Sequence, residues 1–431
     1  MSDDQFDAIV VGAGCAGAVA AYRLASAGRS VLVVERGNYA GAKNMTGGRI
    51  YTHALARGFP VFDGSAPLQR RITHEKISMA APDALFTMDF TADELRESGK
   101  DSYAVLRGPF DQWLAERAEE AGADFIYGIA VEDLIVRDGR VCGVVAGGDE
   151  VEARITVLAD GANSLLAQKA GLADDVPLPC QMAVGAKETI ALPPSVIEDR
   201  FLCAPGEGAA WMFAGDCTKG RVGGGFLYTN DDSISLGLVA TLSDLAAGDV
   251  PIYQMLEDFK QRADIAPLVK GGELVEYSGH LVPEGGLAMV PRLYGDGVLV
   301  CGDAAMLCMN LGYSVRGMDF AVSSGDLAAD AVMRALEADD VSAAQLAAYE
   351  QLLDGCYVLQ DLKRFRRFPR YMEETTRIFN EYPAMARDIM LNLFKVDGHP
   401  QARIKDKLLG PLKRVGLWRV AQDGRKGMKA L

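Results

Sequence analysis

Phe6-Asp7-Ala8-Ile9-Val10-Val11-Gly12-Ala13-Gly14-Cys15-Ala16-Gly17 decides the fold, because an apolar strand runs directly into a G-x-G-x-x-G loop. An Ala-rich helical stretch follows, then a second strand, Ser30-Val31-Leu32-Val33-Val34, which ends on Glu35. A Gly-rich loop alone is a weak signal; with both strands, the helix and an acid about 20 residues on, it is the full dinucleotide-binding setting. Gly12 permits the tight turn, Gly14 lets a pyrophosphate approach the backbone, and Gly17 lets the helix pack close to the strand. The helix N-terminus offers unpaired N–H groups and a positive dipole end to the phosphates. Glu35 is placed to accept from the ribose hydroxyls. The chain is expected to bind a dinucleotide.

Two more buried strands end on an acid beside a glycine: Ile155 to Ala159 leads into Asp160-Gly161, and Gly297 to Cys301 leads into Gly302-Asp303. Either motif alone marks an ordinary turn. A nicotinamide enzyme would use the first Gly motif only, whereas the ordered set of three points to FAD. The carboxylate of Asp303 is placed to accept from a ribitol hydroxyl. Asn310 to Gly317 is read as the opening of a long Ala-rich helix whose N–H groups face the pyrimidine end of a flavin. Between Cys180 and about Leu242 the pattern changes to short apolar runs with Gly breaks, which suggests an antiparallel sheet. The pieces give an α/β fold. A discontinuous Rossmann-type FAD-binding domain spans residues 1–75, 105–175 and 275–340. An antiparallel-sheet substrate domain (76–104 and 176–274) is inserted in it, and a helical, basic C-terminal region (341–431) follows.

At 431 residues the chain exceeds one simple core. No run of 18 apolar residues and no signal peptide are read from it, so a cytoplasmic location is expected. Its eight cysteines are scattered without a C-x-x-C pair, which argues for reduced thiols and against a zinc site or an iron–sulfur cluster. Net charge is −15 but uneven. From Lys363 to the end there are 17 Lys+Arg against 7 Asp+Glu; the preceding residues hold 27 against 52. That asymmetry fits a basic docking surface for anionic lipid or an acidic protein, and equally a solvated tail packed on its own acidic body. Nucleic acid is disfavoured, since no binding motif accompanies the basic residues.

The sequence resembles the electron-transfer-flavoprotein:quinone oxidoreductases, specifically the shorter bacterial FixC type, within the FAD superfamily of geranylgeranyl reductases and aromatic hydroxylases. The residues that carry the resemblance are Gly12 to Gly17 and Gly41-Ala42-Lys43-Asn44-Met45-Thr46-Gly47-Gly48-Arg49. Leu106-Arg107 with Phe110-Asp111-Trp113-Leu114, Gly223 to Tyr228, and Gly302 to Asp319 agree with it. The resemblance implies a glutathione reductase-like FAD domain, an inserted domain that meets quinone, and electrons arriving from a two-subunit electron-transfer flavoprotein. It also implies a separate small ferredoxin-like iron–sulfur protein, since the four-cysteine domain of the longer enzymes has no counterpart here. Peripheral contact with the inner face of a membrane follows from a lipid-soluble quinone. Whether such a complex bifurcates electrons is left open.

Motifs and resemblance together give a cofactor-binding set: Gly12, Gly14, Cys15, Ala16, Gly17, Glu35, Arg36, Lys43, Thr46, Gly47, Gly48, Arg107, Val131, Asp160, Gly161, Gly302, Asp303, Gly312, Tyr313 and Ser314. No catalytic acid, base or nucleophile is assigned, because a flavin carries the redox chemistry itself. Lys43, Thr46 and Arg49 either line one flavin face or are exposed loop residues; Arg316 and Tyr313 are candidates for the other side. Cys301 and Cys308 read as buried inert thiols, and Met306, Met309 and Met318 as core or as a quinone channel. Ala384 to Lys395 reads as an amphipathic helix that either covers the core or lies in a membrane interface. Rival readings are an isoprenoid reductase on the same fold and a non-autonomous electron-relay subunit. An aromatic hydroxylase is disfavoured by Ala167, which stands three residues after Ser164 where such enzymes usually carry Arg.

Overall fold

The computed structural model of the chain describes residues 5–44, 48–58, 64–173 and 176–431. Five strands run parallel in the order Asp124–Tyr127, Val31–Glu35, Phe6–Val11, Asp149–Leu158 and Val298–Val300. The inner strands Val31–Glu35 and Val298–Val300 are buried throughout and read as apolar runs, whereas the edge strand Asp124–Tyr127 alternates exposed and partly buried residues. Val11 stands level with Val34 on one side and Leu158 on the other, and Leu158 with Val300. Three strands therefore finish at one edge, where an open α/β sheet forms its crevice. Asp149–Leu158 also pairs antiparallel, through its first residues, with Arg140–Ala146, which pairs with Val131–Arg137.

Behind the crevice, the helix Cys15–Ser26 packs between Arg107–Glu120 and the 20-residue helix Met318–Glu337. The last contact is backbone-close: a Cβ on Gly325 would lie 2.1 Å from the Ala16 carbonyl oxygen. After the helix Met318–Glu337 the chain forms three short helices, Ala343–Leu346, Ala348–Asp354 and Tyr357–Arg364.

A second sheet of nine strands includes, in order, Glu273–Pro283, Met182–Ala191, Ser233–Thr241, Gly223–Thr229, Glu207–Gly215, Leu68–Ala81, Ser102–Val105 and Gly48–Tyr51. Ala84–Phe90 pairs with Leu68–Ala81. All pairs are antiparallel except Glu207–Gly215 with Leu68–Ala81. The boundaries expected at 75/76 and 274/275 thus fall inside strands, because the pairing partners lie far away in sequence. One face is apolar (Trp211, Phe213, Leu236 and Leu238) and is covered by the helices Pro194–Phe201 and Ile252–Lys260. Period-2 alternation turns Met212, Phe226 and Tyr228 to the other face. The C-terminal helix Glu381–Phe394 lies over Leu68–Ala81 and Ala84–Phe90, followed by Ile404–Val415 and Leu417–Ala430. Arg377 clamps the buried Asp423 through two hydrogen bonds of 2.6 and 2.8 Å, and the Tyr382 hydroxyl donates to the same carboxylate.

Gly325→Ala is expected to lower stability by about 1–3 kcal/mol through overpacking. Gly424→Ala, in a helix where a Cβ meets nothing within 4 Å, is expected to raise it by up to about 1 kcal/mol. Denaturant midpoints separate the two; equal midpoints would contradict the close helix crossing.

Candidate functional site

The Gly-rich loop is built as its three glycines require. Gly12 has φ +99°, and a Cβ there would sit 2.4 Å from the Ala159 carbonyl oxygen. A Cβ on Gly17 would come within 1.9 Å of the Gly12 carbonyl oxygen. Gly14 differs: the nearest protein atoms to its Cβ position are 3.8 Å away, on Arg107 and Asn44. Its cradle is open to a ligand rather than closed by protein. The helix that starts at Cys15 has no side-chain cap and no acid in its first turn, so its N–H groups remain available to an anion. Glu35 is fixed by two backbone donors, Ala13 N–H to Oε2 at 2.8 Å and Gly37 N–H to Oε1 at 2.6 Å.

Asp111 organises the opposite wall. Fully buried, it takes a bidentate pair from Arg107, with both N···O distances 2.9 Å. It also accepts from the Asn44 amide and, at 3.4 Å, from the Cys15 thiol. Arg107, with Nε and Nη2 engaged by Asp111, is thereby held as a cation beside the Gly14 cradle, Nη2 lying 3.8 Å from the Gly14 Cβ position. Asp111 was visible only as part of the Phe110–Leu114 motif; its role as a hub could not be read from one helix, because Cys15 and Asn44 reach it from other elements.

A single cavity of ≈ 1180 Å³ occupies the crevice, larger than the roughly 300–1,000 Å³ of an ordinary ligand pocket. Gly12, Gly14, Cys15, Ala16, Glu35 and Arg36 line it, as do Lys43, Gly48, Arg107 and Val131, and Asp160, Gly161, Gly302, Asp303 and Gly312. Gly17 lies behind the wall as a packing residue. Thr46 and Gly47, with Met45, fall outside the described residues. Tyr313 and Ser314 are not among the lining residues: Tyr313 is about half exposed, and the Ser314 hydroxyl meets Tyr51 Oη at 3.2 Å. The cause is a tight ribbon, Met309–Asn310 paired with Val315–Arg316, which stands where a helix start was expected and turns Tyr313 outward. The helix begins at Met318, and Gly317 and Met318 face the cavity.

Arg49 is no exposed loop charge: it forms a two-point pair with Glu75 and lies 4.7 Å from the Tyr51 ring centroid. Arg316 is engaged away from the cavity by Asp319 and Asp361, each at 2.7 Å, and by the Phe320 and Tyr357 rings. Burial pushes the Cys301 thiol up to about 12 and that of Cys308 well above its ordinary value, so both are held protonated.

The cavity continues past the strand ends onto the second sheet, where Met212, Gly224, Phe226 and His280 line it, and reaches Met372 and Phe379 of the C-terminal region. Several ionisable groups in or near its wall are perturbed by burial. Asp303 makes no hydrogen bond through its side chain among the described residues; burial raises its carboxyl, with Arg107 and His280 opposing. Burial also raises Asp160, which accepts from the Ser164 hydroxyl at 2.7 Å. Glu284, a lining residue, is pushed by burial up to about 7. Lys187 is fully buried with no hydrogen-bond partner at Nζ; burial brings it down to about 7, Glu276 opposing and Arg107 reinforcing. None of these four positions carried a local signal except the Asp-Gly and Gly-Asp turns.

The open cradle at Gly14, the braced Glu35, the Arg107 cation and an unpartnered Asp303 beside the last strand end fit an ADP moiety and a ribityl chain. Comparison with known proteins agrees. Residues 7–99 match the family described as FAD dependent oxidoreductase, and residues 368–431 match the ETF-QO/FixC family C-terminal domain. A geranylgeranyl bacteriochlorophyll reductase-like protein of Thermoplasma acidophilum has the same fold, with a TM-score of 0.74 at 18% identity, covering 98% of this chain and 99% of that one. The flavin-dependent brominase Bmp2 superimposes with a TM-score of 0.64 at 15% identity, covering 96% of this chain and all of the other. The molecule is a FAD-dependent oxidoreductase. Over its whole length it is 50% identical to two Escherichia coli K12 proteins, the probable electron transfer flavoprotein-quinone oxidoreductase YdiS and the protein FixC, each covered completely. The chain belongs to the ETF-QO/FixC family.

Gly14→Val is expected to abolish FAD retention while leaving the circular dichroism spectrum unchanged, since the added atoms meet ligand space. Full FAD occupancy in that variant would remove the loop from the site. Lys187→Met tests the buried amine. With a folded value near 7 and an unfolded value near 10.5, the unfolded chain holds more protons between those limits, so wild-type stability gains with rising pH there. The variant's advantage is therefore largest at and below pH 7 and shrinks above it by up to about 1.4 kcal/mol per pH unit. Urea midpoints of both proteins across that window check it; a constant difference would contradict it.

Proposed function

We propose that the chain accepts electrons from a two-subunit electron-transfer flavoprotein and passes them through FAD to a quinone, with a small ferredoxin-like protein as partner. The observation that carries this reading is the full-length 50% identity to a protein named for that reaction. The extent of the cavity supports it: beyond the nucleotide-binding loops the same cavity reaches Met212, Phe226, Met372 and Phe379, apolar side chains suited to a flat apolar ring. FAD supplies an exchange between one-electron and two-electron carriers. The protein supplies one continuous cavity that holds both reactants and the ionisable groups that line it.

Contact with a membrane from the cytoplasmic side is part of the proposal. Among the described residues no helix is long and apolar enough to cross a bilayer. In the C-terminal helices, Phe394, Trp418 and Met428 are 79%, 80% and 78% exposed; Arg419, Arg425 and Lys429 share the helix Leu417–Ala430 with Trp418 and Met428, and Lys405 and Lys413 lie in the preceding helix Ile404–Val415. Large apolar groups among lysines and arginines suit an anionic interface. The helix Glu381–Phe394 itself is half-committed: Met385, Ile389 and Leu393 are partly buried, while Leu391 and Phe394 face out.

Anaerobic stopped-flow absorbance provides the test. Mixing the FAD-loaded chain with reduced electron-transfer flavoprotein and the ferredoxin-like protein is expected to bleach the flavin. A short-chain quinone is expected to restore it. Reduction by NAD(P)H and not by that donor would overturn the reading in favour of a reductase or hydroxylase. Flotation with anionic vesicles, lost in Trp418→Glu, tests the membrane surface separately.

A further inference from the structure

Glu284 follows the last residue of the strand Glu273–Pro283 and stands in the cavity wall. Its own N–H donates to the Gln181 carbonyl at 2.7 Å, which fixes where the side chain begins. The Asn310 amide donates to Oε1 at 3.3 Å, and among the described residues no cation forms an ion pair with it. Behind it lies an apolar shell that includes Leu311, Leu362, Phe365 and Pro369. Ahead of it is the open cavity. Other ionisable groups that line the same cavity include His280 on its own strand, Asp303 and Cys308 at the last strand end, Cys180, Tyr228, Asp244, and Arg366, Arg370, Glu373 and Glu374 from the C-terminal region, with Arg49, Arg107 and Asp160 toward the nucleotide end.

An unpaired carboxylate is costly in such a place, and a structural role would be met as well by an amide. A carboxyl group adds one capacity: it holds a proton that it can give up. Conversion of a quinone to a quinol takes up two electrons and two protons. A bound flavin in its anionic reduced form would supply the two electrons and one proton. The other proton must be drawn from a group in the cavity. We propose that Glu284 is the acid that delivers this proton to a quinone oxygen, an inference that rests on the quinone reading above. The Glu284 O–H bond breaks, a quinone O–H bond forms, and the carboxylate is reprotonated from solvent through the cavity mouth. Asn310 holds the group in place in both states, since an amide N–H donates to either.

The test uses the full chain loaded with FAD, and Glu284→Gln beside it. Infrared spectra of the wild type, taken from below to above neutrality, are expected to show a buried protonated carboxyl band that disappears through about pH 7 and is missing in the variant. Quinone oxidation of the pre-reduced wild type is expected to fall about tenfold per pH unit above that point. In Glu284→Gln it is expected to be about 100-fold slower and independent of pH there. Oxidation by ferricyanide, which takes no proton, is expected to be the same in both proteins, and Glu284→Asp to restore part of the pH profile. A variant that reduces quinone at the wild-type rate across the pH range overturns the role of Glu284 alone. A wild type that ferricyanide oxidises but quinone does not overturns the quinone reading and this inference with it. Should Glu284→Gln fail to fold, a wild-type spectrum with no carboxyl titrating near neutrality overturns the proposal by itself.

Discussion

Everything at the site depends on three parallel strands ending level. Gly12 N–H donates to the Val34 carbonyl, Ala159 N–H to Val11, and Cys301 N–H to Leu158, each at 2.9 Å. These bonds continue the ladder one residue past the strands and bring Gly12, Asp160 and Gly302 to one edge. A register slip would turn the acids and glycines to the wrong face. The hydrogen bonds are backbone bonds, so the edge is fixed before any ligand arrives, and the side chains of Glu35, Asp160 and Asp303 need only be the right length to meet it.

The second sheet turns that edge into a cavity. Its strands alternate between a face packed on helices (Phe213, Leu236, Leu238) and a face presented to the nucleotide domain (Met212, Phe226, Tyr228). A sheet can do both at once because successive side chains point to opposite sides. The parallel pairing of Glu207–Gly215 with Leu68–Ala81 joins the two halves of this sheet. Arg70 reinforces the junction, bonding to the carbonyls of Asn230, Glu207 and Asp231 and to Glu198.

The nucleotide half was legible in the sequence because its signals are local. Gly12, Gly14 and Gly17 with Glu35 form one short strand–helix–strand unit, and each later acid sits next to a glycine at the end of an apolar run. The second half was legible only in kind. That Cys180 to Leu242 forms an antiparallel sheet follows from short runs and breaks; that Gly48–Tyr51 and Leu68–Ala81 belong to it does not, since their partners are remote. The same limit hid Asp111, Lys187 and Glu284, whose significance lies in what surrounds them. Arg316 shows the opposite error: its place beside a flavin motif suggested the ligand, whereas Asp319, Asp361 and three aromatic rings hold it within the protein.

The buried charges separate structure from function. Away from the cavity they are matched: Arg70 with Glu198, Lys76 with Asp89, Glu188 with Lys260, Asp423 with Arg377, and Asp326 with Arg23. Each such group is compensated, as a buried ion in a stable core must be. Around the cavity the matched pairs Arg107–Asp111 and Arg49–Glu75 stand beside groups that depart from this pattern. Lys187 has no hydrogen bond, Asp303 has none through its side chain, and Glu284 has one long bond from a neutral amide. Lys187 is fully buried, with Glu276 favouring its charge, whereas Asp303 and Glu284 are only partly buried because they face the cavity. Asp303 and Glu284 both line the cavity, and two under-partnered carboxyl groups in one wall are what a functional site accommodates and a packed core does not, since a cavity-facing group can meet a ligand where a core group needs a protein partner.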